Sequence, residues 1–346
     1  MFVFCSGYAA AIAFGATFIR VGFWMGAWRI ALRCWQVYWA HISLFFMIAA
    51  ISVVANDWFG TADKSYIDGL NLGPFFRDPA SQLVGLLTLT YVPNYFDILP
   101  MYIVILMMVP LVVALQRVHI YAAVGFCVGL YALVWMFNLS FPAEPWSDRR
   151  WFFNPLAWQL LFFTAFMFAR GWIKPPPFKP WLLATAAAYV LVMIPLSRWQ
   201  IYTQVPTLNA IHDVLWLRDN PQAGIVKTNL SPLRYLHILA LAYIAVWVVS
   251  GREQALLNWP FRLVVKVGQQ ALATFLTSMA LAWILTIVLD QLGRDALTVA
   301  LVNLFGLATI VVVAHVVGWY KQEPWRRPRP SQMPEPPVGA LSRAQT

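Results

Sequence analysis

Charge is what this sequence has least of. Only 11% of its 346 residues are Asp, Glu, Lys or Arg, where a soluble chain carries roughly 25%. Another 61% are hydrophobic, and uncharged runs of about 20 residues, long enough to cross a hydrocarbon core, recur through most of the chain. That excludes a soluble globular protein and leaves an all-α fold, a polytopic transmembrane helical bundle. Cysteine is nearly as scarce. Cys5, Cys34 and Cys127 lie in apolar runs at no ligand spacing, so neither a disulfide framework nor a metal site is expected. There is no glycine-rich phosphate loop and no G-x-S-x-G elbow. No charged region or cleavage pattern accompanies the first apolar run, so a cleavable signal peptide is not expected. The lack of an internal repeat disfavours inverted-repeat transporters.

What remains is a succession of about nine predicted spans: 2–19, 30–55, 96–115, 119–137, 154–172, one ending near Leu196, 231–249, 264–289 and 296–320. The loop 56–82 carries Asp57, Asp63, Asp68 and Asp78, and leads into the apolar piece 83–91. That piece is too short to span and reads as interfacial or re-entrant. KPPPFKP at 174–180 forms a stiff turn. NAIHDVLWL, within 197–230, reads as an amphipathic interfacial helix. Residues 1–320 are assigned to the membrane domain, and 321–346 to a basic, proline-rich cytoplasmic tail expected to be disordered.

The excess of basic residues, a formal net charge of +10, reports topology here rather than nucleic-acid binding. With the tail in the cytoplasm and the spans alternating backwards, 15 of the 24 Lys and Arg and three of the 14 acids fall inside. The outer side takes nine basic residues and eleven acids. The N-terminus then faces outwards without a leader, so a further helix is expected upstream, which would make about ten spans.

Against this background, YVPNYFDILPMYIVILMMVP at 91–110 stands out. Asp97 sits there between Pro93 and Pro100, among Tyr91, Tyr95, Phe96 and Tyr102. A carboxylate at that depth must be solvated, paired or used. The plain reading is an interfacial aspartate capping a helix. The alternative draws on Trp158 and Gln159, one turn into the fifth span, and on Arg234 and His237, which share a face of the seventh. With Asp97 these could surround a polar pocket in the outer leaflet, although Arg234 could equally snorkel and His237 could simply pack. An inner-side set comprises Arg29, Arg33, Gln36 and His41, with a stripe of Gln270, Thr274 and Thr277. The arginines suit phosphates or plain positive-inside anchoring, and the threonines suit helix–helix contacts.

Several segments resemble the OpgC proteins: FVFCSGYAAA at 2–11, RCWQVYWAHI at 33–42, YVPNYFDILPMYIV at 91–104, WFFNPLAWQLLF at 151–162 and PLRYLHILALAY at 232–243. These are inner-membrane relatives of the integral-membrane acyltransferase family 3. The resemblance covers nearly the whole chain up to the tail. It implies an O-acyltransferase of the bacterial inner membrane that transfers a succinyl group from cytoplasmic acyl-CoA to a periplasmic glucan or related glycan. No bound cofactor is implied; acyl-CoA would be a co-substrate, and glucan-synthesis membrane proteins would be candidate partners. The wider family's arginine-to-histidine signature on a first helix has no counterpart here, because the chain begins at the segment after it.

Under this resemblance Asp97, His237 and His41 are the catalytic candidates. Arg234, Trp158, Gln159, Asn94, Tyr95 and Tyr102 would bind the acceptor or the succinyl end, and Arg29, Arg33 and Tyr38 the donor. Competing expectations are a glycan or acyl-donor flippase, or a truncated, non-catalytic membrane subunit.

Overall fold

The computed structural model describes residues 1–61, 64–215 and 227–325, with no strand among them. It divides into two compact units, Met1–Arg252 and Glu253–Thr346. The first holds α1 (Phe2–Arg20), α2 (Phe23–Phe59), α3 (Gly73–Arg77), α4 (Pro79–Thr88), α5 (Ile98–Val118), α6 (Ile120–Phe137), α7 (Pro155–Ala169), α8 (Pro180–Leu196), α9 (Trp199–Tyr202), α10 (Pro206–Leu215) and α11 (Pro232–Val249). The second holds α12 (Phe261–Gln269), α13 (Ala271–Leu292) and α14 (Ala296–Tyr320). Among the described residues, seven helices are long and apolar enough to cross a membrane: α1, α2, α5, α6, α11, α13 and α14. Helices α7 and α8 are apolar but shorter, so the all-α polytopic bundle stands.

Local chemistry sets the helix starts. Proline occupies the first turn of α7, α8 and α11, where its missing N–H removes no intrahelical bond. Asn154 accepts the Leu156 N–H, Ser231 the Arg234 N–H, and Asp295 the N–H groups of Leu297 and Thr298. Each thereby satisfies a donor that the first turn leaves open.

Two boundaries differ from expectation. The second span begins at Phe23 rather than near residue 30, because Gly22, at φ 94°, completes the turn in a few residues and the helix resumes at once. The expected span 264–289 is broken at Gln270 into α12 and α13. Gln270 accepts a bond from Lys321 Nζ at 2.7 Å, and Thr274 bonds back to the carbonyls of Gln270 and Ala271. Thr274 therefore satisfies its own helix instead of joining two. Helix α10 is amphipathic with Ile211 and Val214 exposed. Trp216, Leu217 and the tail from residue 326 onward lie outside the described residues.

Within the first unit α1 packs along α7 through a stripe of small residues, Gly7, Ala11 and Gly15, all buried. A Cβ on Gly7 would stand 2.1 Å from the Phe162 carbonyl oxygen, so the two backbones touch. Phe162, Phe163 and Phe166 of α7 are fully buried. This small-against-aromatic packing drives helix association in lipid, where no hydrophobic effect is available.

Candidate functional site

The polar residues of the first unit gather around the 91–97 turn and the 140–155 loop. Asp97 is only 2% exposed. It occupies the cap position of α5 but makes no side-chain capping bond there. Its Oδ1 instead accepts the Phe152 N–H at 2.9 Å. The capping reading is therefore replaced by a long-range one: the carboxylate ties the start of α5 to the loop that leads into α7. Burial, the largest influence, raises this carboxyl above its ordinary value, against the opposing Phe152 hydrogen bond and the charge of Arg149.

Beneath it lies a knot that sequence reading missed. Arg149 donates to Glu144 at 2.9 Å, to the Val92 carbonyl at 2.7 Å and to Asn94 Oδ1 at 3.3 Å. Glu144 also accepts from Asn71 at 2.8 Å and from Ser147. Burial alone would push the Glu144 carboxyl up, but the donors Arg149, Ser147 and Asn71 outweigh it and hold the group below its ordinary value. The only signal was the acidic–basic spacing in AEPWSDRR, and a loop of that composition reads equally well as solvated.

Exposed aromatics rim this knot: Tyr95, Trp146 and Phe152. Tyr95 is 72% exposed and held at φ 70°, a conformation costly for a bulky side chain. Asn94 thus serves the loop through Arg149, while Tyr95 stands free at the surface. Tyr95→Gly should relieve about 1 kcal/mol of backbone strain. If the ring is a sugar platform, the same change should raise KM for acceptor several-fold; thermal-shift and kinetic measurements on one preparation separate the two effects.

The remaining candidates are not all assembled there. Trp158 and Gln159 are buried and bonded to the protein's own carbonyls. The indole reaches Lys227 at 2.9 Å and Thr228 at 3.2 Å, and the amide reaches Cys127 at 2.7 Å. They join α7 to the 227–229 segment and to α6, so their N–H donors are committed to the protein's own backbone rather than to a glycan, contrary to expectation, while Gln159 Oε1 has no partner among the described residues. Arg234 and His237 form a separate half-buried patch beside Met1, with His237 6.2 Å from the Tyr189 ring.

His41, expected with the inner arginines, lies at the midpoint of α2 and is fully buried. Its ring meets Phe96, the neighbour of Asp97, at 6.1 Å, and neither ring nitrogen has a partner among the described residues. Tyr38 donates to the Leu87 carbonyl of α4 at 2.7 Å, so it braces the α2–α4 contact instead of facing a donor. Tyr102, expected at the outer pocket, lies deeper, against Phe162 and next to Arg33. Arg29 reaches Thr17 of α1 and lies over the Phe14 ring.

The family model for OpgC protein matches residues 1–322. No curated protein and no solved structure matches the chain.

Proposed function

Because the chain belongs to the OpgC family, a membrane-embedded family of acyltransferase-like function, we propose that it is an O-acyltransferase of the bacterial inner membrane. In this reading it moves a succinyl group from cytoplasmic acyl-CoA to a hydroxyl of a periplasmic glucan. The glucan oxygen attacks the thioester carbonyl carbon, the C–S bond breaks and an ester C–O bond forms. The hydroxyl proton passes to a base, and the departing thiolate of CoA takes up a proton. The end of the bundle that holds Asp97 is the periplasmic face, and the end that holds Arg29 is the cytoplasmic one.

The observation that carries this reading is a buried carboxylate, Asp97, whose affinity for protons is raised by burial, set under exposed aromatic rings. A carboxyl lifted towards neutrality is a better general base than a solvated one. Aromatic faces flanking it suit the apolar faces of sugar rings. His41, one ring contact away from the same turn, is the second candidate for proton transfer.

The test is direct. Purified protein in liposomes, given succinyl-CoA on the Arg29 side and neutral glucan on the Asp97 side, should release CoA and add about 100 Da per modified glucan. Movement of unmodified glucan across the bilayer without CoA release would overturn the reading in favour of a flippase.

A further inference from the structure

The end of the first unit opposite Asp97 carries a convergence of arginines in which Arg29, a donor candidate from sequence, is joined by two that sequence did not single out. Three side chains from three different helices reach the same turn of α1. Arg29 of α2 donates to Thr17 and covers Phe14 at 5.6 Å. Arg117 of α5 donates to the Phe18 carbonyl at 3.4 Å and covers Phe23 at 5.2 Å. Arg170, at the end of α7, lies over Gly15, where an added Cβ would come within 2.6 Å of its Cδ.

At about 100° per residue, Thr17, Phe14, Phe18 and Gly15 cover an arc of about 160° on α1, over a rise of roughly 6 Å. The arginines thus form a half-collar around one turn. Arg29 and Arg117 are exposed, as surface anchors would be, yet both turn onto α1 rather than away from it. Capping α1 would use one of them, since one carbonyl bond to Phe18 is made.

Among the described residues no carboxylate pairs with the collar. Residues 14–35, 110–125 and 165–185, which supply it and its surroundings, contain no Asp or Glu. Glu144 and Asp97, the buried carboxylates of the polar turn, belong to the other end. Three guanidiniums set around one helix turn without an acid make a positive patch that an anion would neutralise. Planar guanidinium forks match phosphate oxygens in bidentate pairs.

We propose that Arg29, Arg117 and Arg170 form a polyphosphate-binding site, occupied by the phosphates of the nucleotide portion of the acyl donor. The site rests on the acyltransferase reading only for the source of those phosphates. It relocates the donor's anionic end from Arg33 and Tyr38, which face α5 and α4, to the collar.

The experiment is equilibrium binding of unacylated CoA to the purified chain in an uncharged detergent, with phosphatidic acid as a second probe. Arg117→Gln and Arg170→Gln should each weaken CoA binding about tenfold or more, while eluting as wild type on size exclusion. Arg117→Lys should fall in between, which a purely structural loss would not show. If the wild type binds CoA and both glutamine variants bind it equally well, the collar site is overturned while the acyl-CoA reading survives. If the wild type ignores CoA but binds phosphatidic acid through the collar, the site stands as a lipid-phosphate site and the donor reading fails. Binding of neither probe overturns the site.

Discussion

A leucine at position 7 is expected to unfold the α1–α7 pair. Even the first carbon of a side chain on Gly7 would overlap the Phe162 backbone, at 2.1 Å from its oxygen and 2.8 Å from its carbonyl carbon. Backbone cannot step aside as a flexible side chain can, so α1 must move off α7. The movement would break the packing of Ala10 and Ala11 on α1 and of Phe162, Phe163 and Phe166 on α7, all at 2% exposure or less. Overpacking of this kind costs about 1–3 kcal/mol for a modest enlargement. Gly7→Ala should fall in that range, and Gly7→Leu at or above its top. Size-exclusion profiles after stepwise heating in detergent would read this as a large fall in melting temperature. Gly125→Leu and Gly129→Leu on α6 are the controls, since an added Cβ there meets nothing within 4 Å. Equal stability of the Gly7 and Gly129 variants would remove α1–α7 packing as the organising contact of the first unit.

The stripe behind that expectation was present in the sequence as Gly7-x-x-x-Ala11-x-x-x-Gly15, a small-residue repeat at helical spacing. Hydropathy, which located the spans, is blind to it because it scores how apolar a residue is and not how close it lets another backbone come. The same blindness explains the break at Gln270. The stretch VVKVGQQALATFL stays apolar enough to look continuous, yet Gln270 at the break finds a partner for its side-chain oxygen in Lys321, a contact no hydropathy window registers.

Elements whose physics is local were therefore legible: the apolar spans and the short piece that became α4. Long-range pairings were not. Asp97 was conspicuous for being a charge near a span, but its partner is the N–H of Phe152, 55 residues away, and a backbone donor carries no sequence signature. The Arg149–Glu144 knot was hidden for a related reason. Asn71 and Asn94 come to it from two other loops, one before α3 and one after α4. Tyr38 and His41 were placed on the inner side by their distance from Arg33 in sequence; the length of α2, Phe23–Phe59, carries His41 to its midpoint, with Tyr38 one turn before it.

Asp97→Asn is expected to leave the fold intact and lower the proposed acyl transfer by about 10²–10⁴-fold, the usual contribution of a positioned base. Asparagine keeps the volume, and its carbonyl oxygen still accepts the Phe152 N–H, so the tie between α5 and the 140–155 loop survives. Only the charge and the proton-accepting capacity go. Asp97→Ala removes the acceptor as well and leaves a buried N–H without its partner, an added cost of about 1–3 kcal/mol. The pH profile separates the roles further. Burial raises the Asp97 carboxyl, so the wild type should lose activity as pH falls through a value above the ordinary aspartate range, because the protonated form accepts no proton. That acid limb should vanish in Asp97→Asn together with most of the rate. Glu144 lies below its ordinary value, so the knot under the site stays ionised through this window and its protonation cannot produce the limb. Wild-type turnover by a folded Asp97→Asn protein would reduce Asp97 to an anchor for the loop and pass the search for a base to His41, a buried proton acceptor of α2 whose ring meets Phe96 of that turn.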